Sequence, residues 1–272
     1  MDSFNSNSIN SYWYRRGSFE IATNFFTNLK NPVKKKLNWF YYRESQGIQE
    51  LVNYYLKTEV PSINSFEDNK LNKLIALFEA KQFGLKIPPT LITNNKTELT
   101  NFIGKHKQIV VKAISQGFSY QFNKKDYFFH TTLISKNDLK EFPDTFNPIL
   151  VQEALEKKYE LRIFFLNDKF YASAIFSQND EKTRIDFRNY NTTRPNRVVP
   201  YKLPESLKTQ LKGLMRKLNL NSGSFDIVVN KKGYFFLEVN PIGQYNQVSD
   251  PCNYNLDQII ALNLIKNGAK IS

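Results

Sequence analysis

The stretch SFDIVVNKKGYFFLEVN, residues 224–240, decides how the chain folds. Two runs rich in β-branched and aromatic residues flank Lys231, Lys232 and Gly233, a pattern that predicts a β-hairpin. With a three-residue loop and Gly233 in the left-handed region, Asn230 pairs with Tyr234 and Asp226 falls opposite Glu238. Phe225, Ile227, Val229, Phe235, Leu237 and Val239 then share one face, which is wholly apolar and must meet a core. The other face carries Asp226, Glu238 and Asn240. Two carboxylates directly opposite each other repel, so their pairing requires a compensating cation. Oxygens from Asp, Glu and an Asn amide suit Mg²⁺, which keeps waters and substrate phosphates as its remaining ligands. The pattern is met equally well by an amphipathic hairpin with a solvated polar face, and a loop of two or four residues would put Asp226 and Glu238 on opposite faces.

Outward from the hairpin, ELRIFFL (160–166) alternates so that Leu161, Ile163 and Phe165 share a face while Glu160 and Arg162 begin the other. Asn167-Asp168 predicts a tight turn into a strand over 170–177, and ILVQE (149–153) predicts a further strand. In QIVVKAI (108–114) the single charge, Lys112, sits among apolar neighbours and must either reach an edge or meet an anion. Helical periods are expected at 46–57, from Asn69 through Phe83 with Ser65 or Asp68 as cap and Gly84 as stop, at 206–218 and at 255–266. SYWYRR (11–16) reads as a first strand after ten polar residues. Hairpin strands mixed with helices indicate an α+β fold.

Composition narrows the chemistry. The 272 residues could hold one large domain or two to three small ones at roughly 150 residues each. One cysteine, Cys252, excludes an internal disulfide framework and a multi-cysteine zinc site, and two histidines leave little for a His-rich metal centre. There is no secretory-type start and no run near the ~18 apolar residues of a membrane span, so a cytoplasmic protein is expected. The net charge of +13 favours acidic partners, but the basic residues are scattered and match no nucleic-acid signature. Neither GxGxxG nor GxxxxGK[ST] occurs.

The Asp…Glu-x-Asn hairpin resembles the last motif of the ATP-grasp superfamily, and the likeness runs back over roughly residues 66–265. NK (69–70) before a helix and GLKIPPTLIT (84–93) resemble the opening of its central subdomain, and IVVKA (109–113) its phosphate-lysine strand. VQEAL (151–155) with ELR (160–162) resembles the adenine hinge and ribose carboxylate, and DFR (186–188) the arginine-bearing motif of ribosomal-protein glutamate ligases. EVNPIGQ (238–244) and WYRR (13–16) are most similar to the peptide maturases of microviridin-type graspetides, with the grasp-with-spasm subgroup as the specific expectation.

The resemblance implies two α+β subdomains gripping ATP, behind a shortened N-terminal subdomain, with divisions at 1–65, 66–150 and 151–272. It implies Lys70 and Lys112 on the nucleotide phosphates, Glu153 and Leu155 at the adenine through their backbone, and Glu160 at the ribose. Asp226, Glu238 and Asn240 would hold Mg²⁺; Arg188, oriented by Asp186, would steady the acyl phosphate, with Arg162 as a second phosphate contact or an ordinary salt-bridge partner. The implied activity is an ADP-forming carboxylate–amine or carboxylate–hydroxyl ligase that crosslinks Asp or Glu side chains of a ribosomal precursor peptide to Ser, Thr or Lys. Its partners would be an acidic precursor with its leader, neither membrane nor nucleic acid, and a homodimer is compatible with it. Alternatives are a ligase that adds an amino acid to a protein or small-molecule carboxylate, and a degraded homologue that only binds peptide.

Overall fold

A computed structural model describes residues 8–15, 31–115, 119–123, 125–128, 131–178 and 195–269. In chain order the elements begin with β1 (Tyr12–Trp13), α1 (Pro32–Thr58), β2 (Ser62–Ile63) and α2 (Lys73–Gln82). There follow β3 (Thr90–Asn95), α3 (Lys96–Lys105), β4 (Ile109–Lys112), β5 (Ser119–Phe122), β6 (Lys125–Phe128), β7 (Thr132–Ile134) and β8 (Thr145–Glu153). The chain continues through β9 (Tyr159–Leu166), β10 (Lys169–Phe176), β11 (Arg197–Pro200), α4 (Glu205–Lys217), β12 (Ser222–Asn230), β13 (Gly233–Asn240), α5 (Asn246–Cys252) and α6 (Leu256–Gly268). The expected α+β class holds, and the chain divides into two compact units, one of residues 1–70 with 255–272 and one of residues 71–254.

In the first unit, β1 pairs in parallel with β2, and Tyr14 packs edge-on against Phe66 with ring centroids 5.8 Å apart. The helix expected over 46–57 is the second half of a longer one. Asn31 caps it by accepting from the Val33 and Lys34 amides, and Pro32 at its first position needs no amide partner.

The second unit contains two large antiparallel sheets and the two-stranded β5–β6 sheet. In the four-stranded sheet, β3-β8-β4-β7, Leu99 and Ile103 of α3 pack on Ile109, Val111 and Val151. The five-stranded sheet, β11-β10-β9-β12-β13, packs one face on α2 and α4 through Leu161, Ile163, Phe165, Phe225, Ile227 and Phe236. The alternation of residues 160–166 thus sorts as expected, and Asn167-Asp168 forms the predicted turn with both residues at positive φ, 43° and 68°. Helix α2 starts later than the sequence suggested: Asn72, not Ser65 or Asp68, caps it by accepting from the Leu74 amide at 2.8 Å. Asp68 instead accepts from the Ser65 amide ahead of a short 3₁₀ turn. Gly84 ends the helix at φ +76°, as expected.

The β12–β13 hairpin departs from the expected register and still reaches the expected pairing. Its loop has two residues, Lys231 and Lys232, and Asn230 pairs with Gly233 at φ +115°. Continued without interruption, that register would separate Asp226 from Glu238. A β-bulge intervenes: Ile227 pairs with Phe236 and Asp226 with Glu238, leaving Leu237 as the extra residue. The core face is therefore Phe225, Ile227 and Val229 with Phe236 and Val239, while Phe235 stands opposite Val228 and Leu237 lines the cavity described next.

Candidate active site

A cavity of about 540 Å³ opens between the two sheets of residues 71–254, within the size range of small-ligand pockets. One part of its wall is apolar, formed by Val110, Leu155, Leu161, Ile227 and Leu237. That surface suits the flat face of an aromatic base. The strap 152–157 runs along the cavity, held by the Glu153 amide donating to Pro89 O at 3.0 Å and the Ala154 amide donating to Gln108 O at 2.9 Å. Anchoring the strap at both amides fixes its height against β4 and makes it a rigid edge.

At the polar end, three neighbouring strands place Arg162, Asp226 and Glu238 in a row. Asp226 is the register partner of Arg162 on β9 and of Glu238 on β13. Arg162 Nη1 donates to Asp226 Oδ1 at 2.5 Å, and both side chains are buried, at 6% and 10% exposure. Lys73 Nζ, at the first position of α2, lies 3.1 Å from Glu238 Oε2, with both side chains about a quarter exposed. The repulsion expected between the two carboxylates is thus relieved by one cation on each. Of the two alternatives read for Arg162, the salt bridge is the one present in this structure.

Further along the cavity, Lys112 Nζ donates to Gln152 Oε1 at 3.0 Å. Gln152, 1% exposed, donates in turn to Thr90 Oγ1 at 3.1 Å, and that hydroxyl donates to Pro88 O at 2.7 Å. The chain of bonds ends on backbone and holds the lysine at the edge of its strand. Glu160 forms a buried ion pair with Lys157. Glu153 directs its carboxylate towards His106, with Oε2 3.8 Å from Nδ1.

Of the residues singled out from sequence, Lys112, Glu153, Leu155, Glu160, Asp226 and Glu238 line this one cavity, and Arg162 touches it through Asp226. Asn240 pairs with Ser224 one side-chain step beyond Glu238 and does not line it. Asp186 and Arg188 lie outside the described residues, as does Arg16. Lys70 ends the 3₁₀ turn of the other unit, its Nζ 5.2 Å from the centroid of the Phe66 ring. The helix-borne lysine at the cavity is Lys73, three residues on. Sequence reasoning passed over Lys73 and Lys157 because each sits in a charged, solvent-like context. The signal available for Lys73 was its place directly after the Asn72 cap.

The residues fit a nucleotide with a divalent ion. Among the described residues no group of three or more His, Cys, Asp or Glu could hold a metal. A pair of carboxylates therefore suits an ion that takes most of its ligands from water and phosphate, as Mg²⁺ does. Lys73 and Lys112 supply compact positive charge to the same cavity.

No curated protein sequence matches the chain significantly. Among solved structures, a RiPP-associated ATP-grasp ligase from Chryseobacterium gregarium, in complex with ADP and a leader and core peptide, is 26% identical with a TM-score of 0.72; the match covers 88% of this chain and 71% of that one. The macrocyclase MdnC from Microcystis aeruginosa, bound with the precursor peptide MdnA, is 25% identical with a TM-score of 0.73, over 94% of this chain and 78% of that one. The ATP-grasp ligase PsnB, 18% identical with a TM-score of 0.71 over 95% and 79%, shares the fold. The family model for the RimK-like ATP-grasp domain matches residues 67–264, which span the cavity and both sheets, and the chain belongs to that family.

Proposed function

We propose that the protein is an ATP- and Mg²⁺-dependent peptide maturase. It transfers the γ-phosphoryl group of ATP to an Asp or Glu side chain of a ribosomal precursor peptide, releasing ADP. A Ser or Thr hydroxyl or a Lys amine of the same peptide then attacks the acyl carbon, phosphate leaves, and an ester or amide ring closes. The observation that carries this reading is the paired Asp226 and Glu238 in one cavity that Lys73, Lys112 and an apolar wall also line. Mg²⁺, when bound, supplies charge to the transferring phosphate oxygens and lines up the two reactants.

The chain's own residues do the rest. Asp226 and Glu238 would hold the ion; Lys112, steadied by Gln152, and Lys73, in the role that the family resemblance implies for Lys70, would meet the phosphates. Glu160 would meet a ribose hydroxyl, and the strap at Glu153 and Leu155, which lines the same cavity, would meet the base. Arg188, oriented by Asp186, is retained as the group that steadies the phosphorylated carboxylate, a task suited to a permanently charged planar fork. Because the transferred group stays on substrate throughout, no protein nucleophile is required. Residues 66–150 and 151–272 are read as the two gripping halves. A net charge of +13 suits an acidic precursor and its leader. No described helix is long and apolar enough to cross a membrane, and the reading places the enzyme in the cytoplasm with its ATP.

The test is incubation of the full chain with a candidate acidic precursor, ATP and Mg²⁺, followed by intact mass and ADP measurement. Loss of one water per ring with one ADP formed per ring supports the maturase. Gain of an amino-acid mass would replace it with an amino-acid-adding ligase, and the absence of Mg²⁺-dependent ATP binding would leave only a peptide-binding module.

A further inference from the structure

Each candidate metal carboxylate already has a cation on it, and the two cations differ in kind. Arg162 is buried, its Nε has no hydrogen-bond partner among the described residues, and its guanidinium is fixed on Asp226 from the central strand of the sheet. Lys73 reaches Glu238 from the first turn of α2, with about a quarter of its side chain exposed, on a flexible four-carbon stem. The helix start does not need the lysine head, because Asn72 caps it independently. Arg162 is therefore an anchor, and Lys73 is a cation that can move.

Taking Asp226, Glu238, Arg162 and Lys73 together, the four charges cancel. A bare divalent ion entering this quartet must displace Lys73 from Glu238 or sit close to it against like charge, and either step removes most of the attraction that two carboxylates would otherwise offer. A nucleotide changes the balance. Its phosphates give the lysine ammonium a second anion within the same cavity, so Glu238 is released to the ion at the moment the ion's phosphate ligands arrive.

We propose that Lys73 makes divalent-metal binding conditional on nucleotide, by holding Glu238 until a polyphosphate draws the ammonium away. This rests on the reading of the cavity as a nucleotide and metal site. By linkage the dependence is reciprocal, and the ion strengthens nucleotide binding by the same factor. Arg162 keeps Asp226 aimed throughout.

Mn²⁺ serves as the probe, with bound and free ion separated by electron paramagnetic resonance on the full chain. Wild type is expected to bind Mn²⁺ alone at least tenfold more weakly than in the presence of saturating ADP, after allowance for Mn²⁺ held by ADP in solution. Lys73→Met and Lys73→Gln are expected to bind Mn²⁺ alone at least tenfold more tightly than wild type, a gain that general loosening of the fold would not produce. Lys73→Arg, which keeps the charge, should behave as wild type. If wild type binds ADP with Mn²⁺ but the two neutral variants show unchanged affinity for Mn²⁺ alone, the role of Lys73 is overturned while the site reading stands. If wild type binds ADP neither with nor without Mn²⁺, the site reading falls and this inference falls with it.

Discussion

Asp226→Asn and Glu238→Gln remove the same charge from adjacent strands, and the structure makes their consequences for stability unequal. From sequence alone, either change should relieve repulsion and leave the fold intact. In the structure Asp226 is the counter-charge of Arg162, and both are buried. Removing one partner of a buried ion pair costs about 3–5 kcal/mol, because the other charge remains in low dielectric without compensation. An asparagine can still accept one bond from the guanidinium, so the lower end, about 3 kcal/mol, is expected. Glu238 pairs with a partly exposed lysine, where the loss is at most about 1 kcal/mol. For a cooperative unit of this size, about 2–4 °C of melting temperature corresponds to each kcal/mol, which gives a fall of roughly 6–12 °C for Asp226→Asn and under about 4 °C for Glu238→Gln. Thermal and urea unfolding followed by circular dichroism, at one pH and scan rate, measure both. Replacing the pair together, as Arg162→Met with Asp226→Leu, should recover most of the loss, since an apolar pair avoids desolvating two charges. A melting temperature for Asp226→Asn equal to that of wild type would refute the reasoning, because Arg162 would then have found other compensation at no cost.

Three further outcomes follow from particular contacts. Gln152→Leu removes the acceptor that holds Lys112 and should weaken ADP binding about tenfold, or ~1.4 kcal/mol, whereas Gln152→Glu, which keeps an acceptor oxygen, should retain most of it; titration calorimetry on both variants decides. Gly243→Ala would place a Cβ 2.1 Å from Ser224 Oγ and 2.5 Å from its backbone nitrogen, so it should destabilise by about 2 kcal/mol or more in urea unfolding, with only partial relief from Ser224→Gly because the backbone clash remains. Burial, in a cluster of hydroxyls shared with Tyr159 and Tyr234, pushes the Tyr201 hydroxyl well above the ordinary tyrosine range, and burial raises the Cys252 thiol. Both groups favour the protonated form more strongly when folded, so the stability they contribute is intact below their unfolded pKa values, about 10 and 8.5, and is lost as pH rises beyond them. Unfolding free energy should therefore fall on the alkaline side, less steeply in Tyr201→Phe, and native Cys252 should resist alkylation at pH 8 until denaturant is added.

Much of the five-stranded sheet was legible because β9, β10 and β12 obey a period of two with one wholly apolar face. Leu161, Ile163 and Phe165 could hardly be placed otherwise, and Asn167-Asp168 is a turn dipeptide with a steric reason. The start of α1 was not legible, since Lys34, Lys35, Lys36 and Asn38 carry no apolar period and the helix begins there on its Asn31 cap and Pro32. The strands β5, β6 and β7 are short and mixed in polarity, so no alternation marks them. Lys73 escaped notice for a related reason: a lysine in a first helical turn looks like any solvated residue until the fold supplies a carboxylate opposite it.

The hairpin shows how a correct pairing can rest on an incorrect turn. Counting from a three-residue loop paired Asp226 with Glu238; the protein has a two-residue loop and recovers the pairing through a bulge at Leu237. Nothing in GYFFLEVN marks that bulge, since it contains no interior glycine after the turn and its residues are all good strand formers. The reason for it lies in the neighbours. Phe236 must meet Ile227 on the core face while its amide bonds to Lys86 O at 2.8 Å, and Glu238 must face the cavity beside Asp226. An uninterrupted strand with a two-residue loop satisfies the first demand and defeats the second, because residues 236 and 238 would then point to the same side. One extra residue between them satisfies both. Deleting Leu237 should therefore leave a regular ladder, with Phe236 still opposite Ile227 and the glutamate still opposite Asp226, so such a variant should keep Mn²⁺-dependent ADP binding while losing the part of the apolar cavity wall that Leu237 forms. Loss of the Mn²⁺ dependence in a variant that still folds would mean that the pairing of the two carboxylates is not what holds the ion.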